Sequence, residues 1–193
     1  MPVEADPGRL RIRLATPADA EPLARLHLAS YRAAYQSLLP AEALSSLRAE
    51  DRHRRWQVSL SDARRRTLIA EHADAVPALI GFAEVGPSRD DDAGTGMGEL
   101  MSLHVRQSCW RAGVGRALHD RAVASLAAGG FQAATLWVLA GNWPARAFYE
   151  AMGWNHDGTA REHVVRGVQV AEIRYRAGCL DRPLSPGTDR PGS

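Results

Sequence analysis

The spacing of apolar side chains in the first part of the chain changes from the period of a strand to that of a helix. Residues 9–15 alternate polar and apolar positions, which is typical of a strand with one buried face. A Thr-Pro pair then suits the N-cap and first turn of a helix, and apolar residues recur at helical spacing to about Ser37. Because Pro40 interrupts that helix, a second helix is predicted over residues 41–60.

Short apolar runs and glycine-ended helical stretches alternate through the rest of the chain. Strands are predicted over residues 67–70, 78–85, 99–105, 134–139, 154–156 and 169–176, and helices over residues 113–128 and 142–152. Residues 72–76 are predicted to form a hairpin turn. Residues 86–98, with an acidic run and several glycines, are predicted to form a mobile loop.

The order of these elements, β-α-α-β-β-β-α-β-α-β-β, predicts a mixed α/β fold. The central sheet is expected to be mostly antiparallel, with helices on its faces and one parallel β-α-β crossover around the helix at residues 113–128. A chain of 193 residues is long enough for one such domain, which we place at residues 9–180. Residues 181–193 are rich in Pro, Gly and Ser and are predicted to be a disordered tail.

Composition narrows the class of protein. Hydrophobic residues make up 45% of the chain, but no apolar run approaches the roughly 20 residues of a membrane span. Residues 1–11 lack the apolar core of a secretory signal, so a cytoplasmic location is expected. The two cysteines, Cys109 and Cys179, belong to no CxxC or Cys/His cluster. The sequence therefore predicts no metal site and no disulfide.

The basic residues are unusual in kind, because all 24 are arginine and lysine is absent. Biased codon usage in the source genome accounts for this. Arginine runs at residues 52–55 and 64–66 also match a nucleic-acid-binding module. Acidic residues flank both runs, however, and no aromatic side chains are interleaved to stack on bases. A solvated helix face is the preferred interpretation, and no nucleic-acid partner is expected.

A glycine-containing loop precedes the helix at residues 113–128. Gly113 and Gly115 leave backbone N–H groups unobstructed where the helix begins, and the helix dipole favours an anion there. Arg111 and Arg116 add positive charge on either side. The loop has neither the Gly-Lys-Ser/Thr of a P-loop nor the third glycine of a dinucleotide fingerprint. Taken alone, it indicates a phosphate site or simply tight packing.

A second motif lies one strand later and reads Asn-x-x-Ala-x-x-Phe-Tyr-Glu-x-x-Gly-Trp, from Asn142 to Trp154. Asn142 suits a helix N-cap, and Phe148 belongs to an apolar face with spacings of three and four. Tyr149 lies beside that face, near the carboxyl ends of the predicted parallel strands. Ligands tend to bind at such strand ends in α/β sheets.

The two motifs, in this order and spacing, resemble the GNAT acetyltransferase family, and the similarity extends over roughly residues 10–178. The Asn142–Trp154 motif is the more specific of the two. The resemblance implies a single GNAT-type domain. It also implies an enzyme that transfers an acetyl group from acetyl-CoA directly to a primary amine of a small molecule or peptide, without a metal.

The resemblance also implies roles for individual residues. The loop residues Arg111, Ala112, Gly113, Val114, Gly115 and Arg116 would hold the coenzyme A pyrophosphate. Leu103, His104 and Val105 would pair with the pantetheine arm as an added strand, with Asn142 and Phe148 on its other side. Tyr149 would protonate the departing thiolate. One departure from the family pattern is Trp110, where Gln or Arg is usual.

Acyl transfer also needs a base, because an amine with a pKa of about 10.4 must lose a proton before it attacks. Glu99 is the first candidate for this base, although it could equally be a solvent-facing residue at the end of a strand. Glu84, which we assign to the acceptor side, is the second candidate. A backbone N–H near Leu103 would meet the oxyanion. Tyr31 and Tyr35 either line the acceptor pocket or belong to the core.

Two other functions remain open at this point. A GNAT-fold protein could bind acyl-CoA as a sensor without turnover, and the arginine runs leave the nucleic-acid-binding module as a weaker alternative. Cys109 could act as a nucleophile, although a partly buried loop thiol is the simpler interpretation. The acceptor amine and any acyl group larger than acetyl are not indicated by a motif. A homodimer is compatible with the resemblance.

Overall fold

The computed structural model describes residues 9–75, 78–165, 167–178 and 180. Its strands are β1 (Leu10–Leu14), β2 (Arg66–His72), β3 (Leu79–Pro87), β4 (Met97–Val105), β5 (Ala133–Leu139), β6 (Asn155–Val165) and β7 (Val168–Gly178). Its α-helices are α1 (Ala20–Tyr35), α2 (Ala41–Ser45), α3 (Ala49–Ser61), α4 (Val114–Ala128) and α5 (Trp143–Ala151). The tail predicted at residues 181–193 lies outside the described residues.

The seven strands form one sheet in the order β1-β2-β3-β4-β5-β7-β6. Every neighbouring pair is antiparallel except β4 and β5, which are parallel and joined through α4. The predicted mixed α/β fold, with a mostly antiparallel sheet and one parallel crossover, is therefore confirmed.

Helices cover the two faces of the sheet. On one face α4 buries a stripe at a spacing of four residues, consisting of Val114, Leu118, Ala122 and Leu126, each at most 1% exposed. On the other face α1 and α3 pack Leu23 and Trp56 against Phe82 of β3. Full burial of a side chain such as Leu118 contributes about 1.5–3 kcal/mol. The apolar faces of the helices thus hold the sheet from both sides.

The parallel strands β4 and β5 separate part-way along their length. They pair only at Met97–Glu99 with Ala133–Thr135. Beyond that point β4 pairs with β3 alone, and β5 pairs with β7 alone. The residues from Leu100 to Val105 therefore have an unpaired edge among the described strands, and a wedge-shaped opening lies between β4 and β5.

The second helix differs from the prediction, because residues 41–60 form two helices instead of one. Ser45 and Ser46 hydrogen-bond backbone carbonyls of the preceding turn, at Glu42 and Ala43. Such bonds compete with continuation of a helix. Arg32 of α1 then donates to the carbonyls at the break, which stabilises the turn between α2 and α3.

The last two strands are longer than the sequence indicates. The β6–β7 hairpin runs through 11 residues on each side, whereas residues 154–156 and 169–176 were predicted. β6 is an edge strand with polar residues on both faces, and its register shifts between His156 and Ala160. Its alternation is therefore too weak to predict a strand from sequence.

The loop predicted to be mobile is held against the sheet by ion pairs. Arg174 of β7 is buried and donates to carboxylates of Asp90 and Asp92 in the loop, and to Asp157 in β6. Asp90 also accepts a hydrogen bond from the indole of Trp137 at 2.8 Å. The basic residue next to the acidic run in sequence, Arg89, pairs with Glu99 instead. Arg174, which binds the run, lies 82 residues beyond Asp92.

Candidate active site

The unpaired edge of β4 leads directly to the glycine-containing loop. The last residue of β4 is Val105, and its carbonyl oxygen accepts a hydrogen bond from the indole nitrogen of Trp110 at 2.8 Å. Trp110 thus folds back onto the strand end and remains 45% exposed. The aromatic residue at this position anchors the loop through its indole N–H.

The loop turns through two residues with positive φ just before α4 begins. Arg111 and Gly113 both have positive φ values, 62° and 79°, and Gly113 is the N-cap of α4. A Cβ at Gly113 would meet no atom within 4 Å, so the space before the helix is open. The first N–H groups of a helix have no intrahelical partner. They point into this open space together with the positive end of the helix dipole.

The start of α4 contacts α5 at the opening. A Cβ added at Gly115 would lie 3.7 Å from the ring of Phe148 and 3.8 Å from the side chain of Val105. Asn142 caps α5, because its side-chain oxygen accepts a hydrogen bond from the backbone N–H of Ala145 at 3.3 Å. Three of the predicted cofactor residues, Val105 of β4, Gly115 of α4 and Phe148 of α5, therefore lie close together at the opening.

Tyr149 is buried beside this opening. Its ring packs edge-on against Phe148 and lies 6.3 Å from the ring of Trp154, centroid to centroid. Burial raises the pKa of Tyr149 above its usual range, so the phenol is protonated at neutral pH. Burial, followed by the phenols of Tyr31 and Tyr149, also raises the pKa of Tyr35 on α1.

Aromatic side chains line the α1 side of the opening. The rings of Tyr31 and Tyr35 are 4.3 Å apart, and the imidazoles of His27 and His104 are 4.9 Å apart. The guanidinium of Arg52 lies 5.1 Å from the centre of the Tyr31 ring. Tyr31 and Tyr35 pack against a small apolar cluster yet keep some exposed surface, and their place in an acceptor pocket stays a prediction.

The two histidines are neutral in this environment. Burial, followed by the positive charges of Arg52 and Arg55, lowers the pKa of His104 to about 3. Burial also lowers the pKa of His27 well below its usual value, with His104 and the same two arginines adding to the effect. Two arginines of the run in α3, which was expected to be only a solvated face, therefore add to the effect of burial on these two histidines.

Both candidate base carboxylates are buried in ion pairs. Glu84 accepts from Arg55 at 2.8 Å and also from Ser59 and Arg65. Burial alone raises the pKa of Glu84, but Arg55 leads the interactions that lower it overall. Glu99 is 1% exposed and accepts three hydrogen bonds from Arg89, one of them from the backbone N–H at 3.1 Å.

Glu99 lies at the closed end of the opening. It is the last residue of β4 to pair with β5, opposite Thr135. The strand rises about 3.3 Å per residue, so Leu103 is roughly 13 Å further along β4. The structure brings Val105, Phe148 and the loop together at one end and leaves Glu99 with Arg89 at the other. Glu84 lies between these ends, opposite Ser102 and next to Leu103 along β4.

Several features of the site were missed by the sequence reasoning. Arg52 and Arg89 contact the predicted residues only in the fold, and no local motif marks either of them. Cys109 is buried, which agrees with a packed loop thiol. Among the described residues no group of three or more His, Cys, Asp or Glu is arranged to hold a metal ion. Within the same ranges, no helix is both long and apolar enough to cross a membrane.

The sequence is similar to known acetyltransferases. The profile of the Acetyltransferase (GNAT) family matches residues 24–154. An uncharacterised N-acetyltransferase of Bacillus subtilis (strain 168), YuaI, is 28% identical over 163 residues, which cover 84% of this chain and 89% of the relative.

The fold is similar to solved N-acetyltransferase structures. The PaiA N-acetyltransferase from Thermoplasma acidophilum, in complex with coenzyme A, matches with a TM-score of 0.69 and 19% identity over 88% of this chain and 98% of that one. The ribosomal-protein-alanine N-acetyltransferase from Brucella melitensis matches with a TM-score of 0.65 and 24% identity, over 87% and 99%. These two likenesses support the fold, while the family profile matches well over half of the sequence. The chain therefore belongs to the GNAT acetyltransferase family.

Proposed function

We propose that the protein binds acetyl-CoA in the opening between β4 and β5 and transfers the acetyl group directly to a primary amine of a small molecule or peptide. The observation that carries this proposal is the unpaired edge of β4 from Leu100 to Val105. This edge of β4 leads to the N-terminus of α4, where unpaired N–H groups can bind an anion. It also lies beside Tyr149, which is buried and protonated.

Each part of coenzyme A has complementary groups in this opening. The N–H groups at the start of α4 suit the pyrophosphate, with Arg111 and Arg116 adding charge. The amides of pantetheine suit the edge of β4 at Leu103–Val105, where they would add to the sheet as a short strand. They would bind the groups other than the Val105 carbonyl, which already accepts from Trp110. Phe148 and Asn142 then bound the opposite side of the arm. The relative solved with coenzyme A has the same fold, which supports the cofactor assignment.

The transfer step requires one proton to move from the amine and one to reach the sulfur. The amine nitrogen forms a bond to the thioester carbonyl carbon, and the oxyanion accepts a hydrogen bond from a backbone N–H near Leu103. The C–S bond then breaks, and the thiolate takes the phenolic proton of Tyr149. Because the raised pKa makes a tyrosinate costly, Tyr149 takes back the proton that the nitrogen loses on becoming an amide. The proton removed earlier from the ammonium by the base passes to solvent, which completes the balance.

For the base we propose Glu99, acting through water, with Glu84 as the second candidate. Glu84 is held as a carboxylate by Arg55, Ser59 and Arg65, and its lowered pKa makes it the weaker base. Arg89, the partner of Glu99, has a side chain that is 53% exposed and can move into solvent. On the α1 side, Tyr31 and Tyr35 would contact the acceptor.

A second candidate function is binding of acyl-CoA without turnover. The observation that favours it is that both candidate base carboxylates are occupied by arginine in ion pairs. In that case the cofactor site would be intact, and release of free coenzyme A would not depend on an added amine.

The first experiment is calorimetric titration with acetyl-CoA of the parent protein and of the Gly113→Trp and Tyr149→Phe variants. We expect micromolar binding that only Gly113→Trp abolishes. Gly130→Trp is the matched control, since Gly130 has φ 85° and open space but lies at the other end of α4. Absence of binding by the parent would refute the cofactor assignment.

A second assay measures thiol release from acetyl-CoA in the presence of a panel of amino acids, polyamines and short peptides with free N-termini. Amine-dependent release, with the acetylated product confirmed by mass spectrometry, is the result expected for a transferase. Tight binding without amine-dependent release from any member would favour the sensor instead.

A further inference from the structure

Three consecutive side chains of α5 point in different directions around the helix. Neighbouring residues of an α-helix are about 100° apart, so Tyr149 lies between Phe148 on one side and Glu150 on the other. α5 has only nine residues, and a helix of this length is not stable by itself. Contacts of Phe148 and Glu150 with the rest of the domain must therefore set the direction in which Tyr149 points.

The Phe148 side of α5 is held by apolar and aromatic contacts. The Phe148 ring is perpendicular to the imidazole of His119, with 6.1 Å between centroids. Trp154, just after the helix, donates its indole N–H to His119 Nε2 at 2.8 Å. The backbone N–H of Trp154 also donates to the carbonyl oxygen of Tyr149 at 3.0 Å.

The Glu150 side is held by three residues that we call the α5 clamp: Tyr175, Arg146 and Glu150. The hydroxyl of Tyr175 in β7 donates to Glu150 Oε1 at 2.5 Å and accepts from Arg146 Nε at 3.2 Å. Arg146 also donates to the carbonyl of Ala140, which precedes the helix. Arg146 and Glu150 are four residues apart and therefore share one face of α5.

The α5 clamp is suited to fix the rotation of the helix about its axis. Hydrogen bonds to charged groups are roughly twice as strong as neutral ones, and Tyr175 makes two of them from a fully buried position. With a helix radius of about 5–6 Å including side chains, a rotation of about 10° moves a side-chain tip by roughly 1 Å. A displacement of about 1 Å can slow a catalysed step about 100-fold.

We propose that Tyr175 is a positioning residue for acetyl transfer: its hydroxyl, held between Arg146 and Glu150, fixes α5 so that the phenol of Tyr149 faces the opening. The inference rests on the proposed function, in which Tyr149 protonates the thiolate. Tyr175 itself is 0% exposed and its hydroxyl is engaged by the α5 clamp, so it touches neither cofactor nor acceptor.

A spectroscopic experiment tests the inference without relying on activity. The chain has four tyrosines, so protein labelled with 13Cζ-tyrosine gives four resonances that single Tyr→Phe variants assign. In the Tyr175→Phe variant we expect the Tyr149 resonance to shift or broaden, while that of Tyr31 on α1 keeps its position. An unchanged Tyr149 resonance in a folded Tyr175→Phe protein would overturn the proposal.

Two variants of Glu150 provide a second line of evidence, because Glu150 is exposed and its replacement leaves the core intact. Glu150→Ala removes the acceptor for the Tyr175 hydroxyl and should reproduce the change in the Tyr149 resonance. Glu150→Gln keeps an acceptor oxygen and should restore the parent spectrum to a large degree. If Glu150→Ala leaves Tyr149 unaffected, the clamp does not position it.

Kinetics with the most active amine of the panel separate a positioning role from a purely structural one. We expect Tyr175→Phe to lower kcat about 10- to 100-fold with an unchanged KM for acetyl-CoA, in a protein that is somewhat less stable but still folded at the assay temperature. In a Tyr149→Phe background the same substitution should have little further effect, because there is no phenol left to position. Additive losses in kcat would contradict action through Tyr149.

The two proposals fail in different ways. If Tyr149→Phe retains the parent kcat, or if no amine supports transfer, the proposed function fails, and the labelled spectra still decide whether Tyr175 sets the environment of Tyr149. If Tyr149→Phe is impaired but Tyr175→Phe is not, the proposed function stands and the inference about Tyr175 falls.

Discussion

The indole N–H of Trp110 donates a hydrogen bond to the carbonyl oxygen of Val105 at 2.8 Å, and this contact joins the first residue of the loop to the last residue of β4. The loop that carries Gly113 therefore starts from a fixed point at the open edge of the sheet. An aromatic residue at this position keeps the loop in place by a side-chain hydrogen bond to the backbone.

The Trp110→Phe variant should bind acetyl-CoA more weakly while folding normally. Loss of one hydrogen bond of this kind costs about 0.5–1.5 kcal/mol, which corresponds to a roughly 2- to 12-fold increase in Kd. Calorimetric titration measures the change, and the urea midpoint provides the control for stability. An unchanged Kd would mean that the Trp110–Val105 contact has no part in shaping the loop.

Replacement of Arg174 by Gln should release the loop between β3 and β4. The variant leaves Asp90 buried beside Trp137 without its positive partner, and breaking a buried pair in this way costs about 3–5 kcal/mol. Hydrogen exchange in residues 88–96 should rise well above that of the parent. Arg64→Gln is the matched control, because its pair with Asp62 is exposed to solvent and should contribute little to stability.

The two candidate bases can be distinguished by their amide variants. Glu99→Gln should lower kcat by about 100-fold or more if Glu99 removes the amine proton, with the Kd for acetyl-CoA unchanged. Glu84→Gln should affect stability more than kcat, because it disturbs the contacts with Arg55 and Ser59. The reverse pattern in steady-state kinetics and urea unfolding would move the base assignment to Glu84.

Stability should decrease as the pH falls below about 6.5. The pKa values of His27, His104 and His119 are all lowered in the folded protein, mainly by burial, so the unfolded chain binds protons that the folded chain does not. The stability these groups contribute is fully present above the unfolded pKa of about 6.5. It is lost at up to about 1.4 kcal/mol per pH unit per histidine as the pH falls towards the folded value.

Urea unfolding between pH 4 and pH 7.5 measures this dependence. The His104→Gln variant should show a shallower slope than the parent below pH 6.5, because the group with a folded pKa of about 3 has been removed. His53→Gln, outside the aromatic group of His27 and His104, should retain the parent slope. A parent stability that is constant from pH 7.5 to pH 4 would contradict the burial of neutral imidazoles.

Much of the fold could be predicted because its determinants are local. The alternation in β1, the stripe from Val114 to Leu126 and the cap at Asn142 depend on residues within a few positions of each other. Backbone hydrogen bonding and burial of one face act over that same range. The family resemblance also follows from sequence, since the Gly113–Gly115 loop and the Asn142–Trp154 motif are contiguous.

The parts that sequence reasoning missed depend on contacts between distant segments. The break at Ser45–Ser46 is stabilised by Arg32, and the ordered loop depends on Arg174, more than eighty residues from its acidic partners. The occupation of Glu84 and Glu99 by arginine ion pairs is equally invisible in sequence. None of these pairs has a spacing that a periodic pattern could reveal.

Apart from the division of residues 41–60 into two helices, the sequence by itself determined the order of the elements, the faces that they bury and the two motifs of the site. Each of these results from interactions between near neighbours. Only the tertiary structure decided that β4 and β5 separate after Glu99 and Thr135, that Arg52 lies over Tyr31, and that Tyr175 holds α5. The physical reason is that side-chain ion pairs and hydrogen bonds depend on distance in space. The chain brings their partners together only when the helices have packed on the sheet.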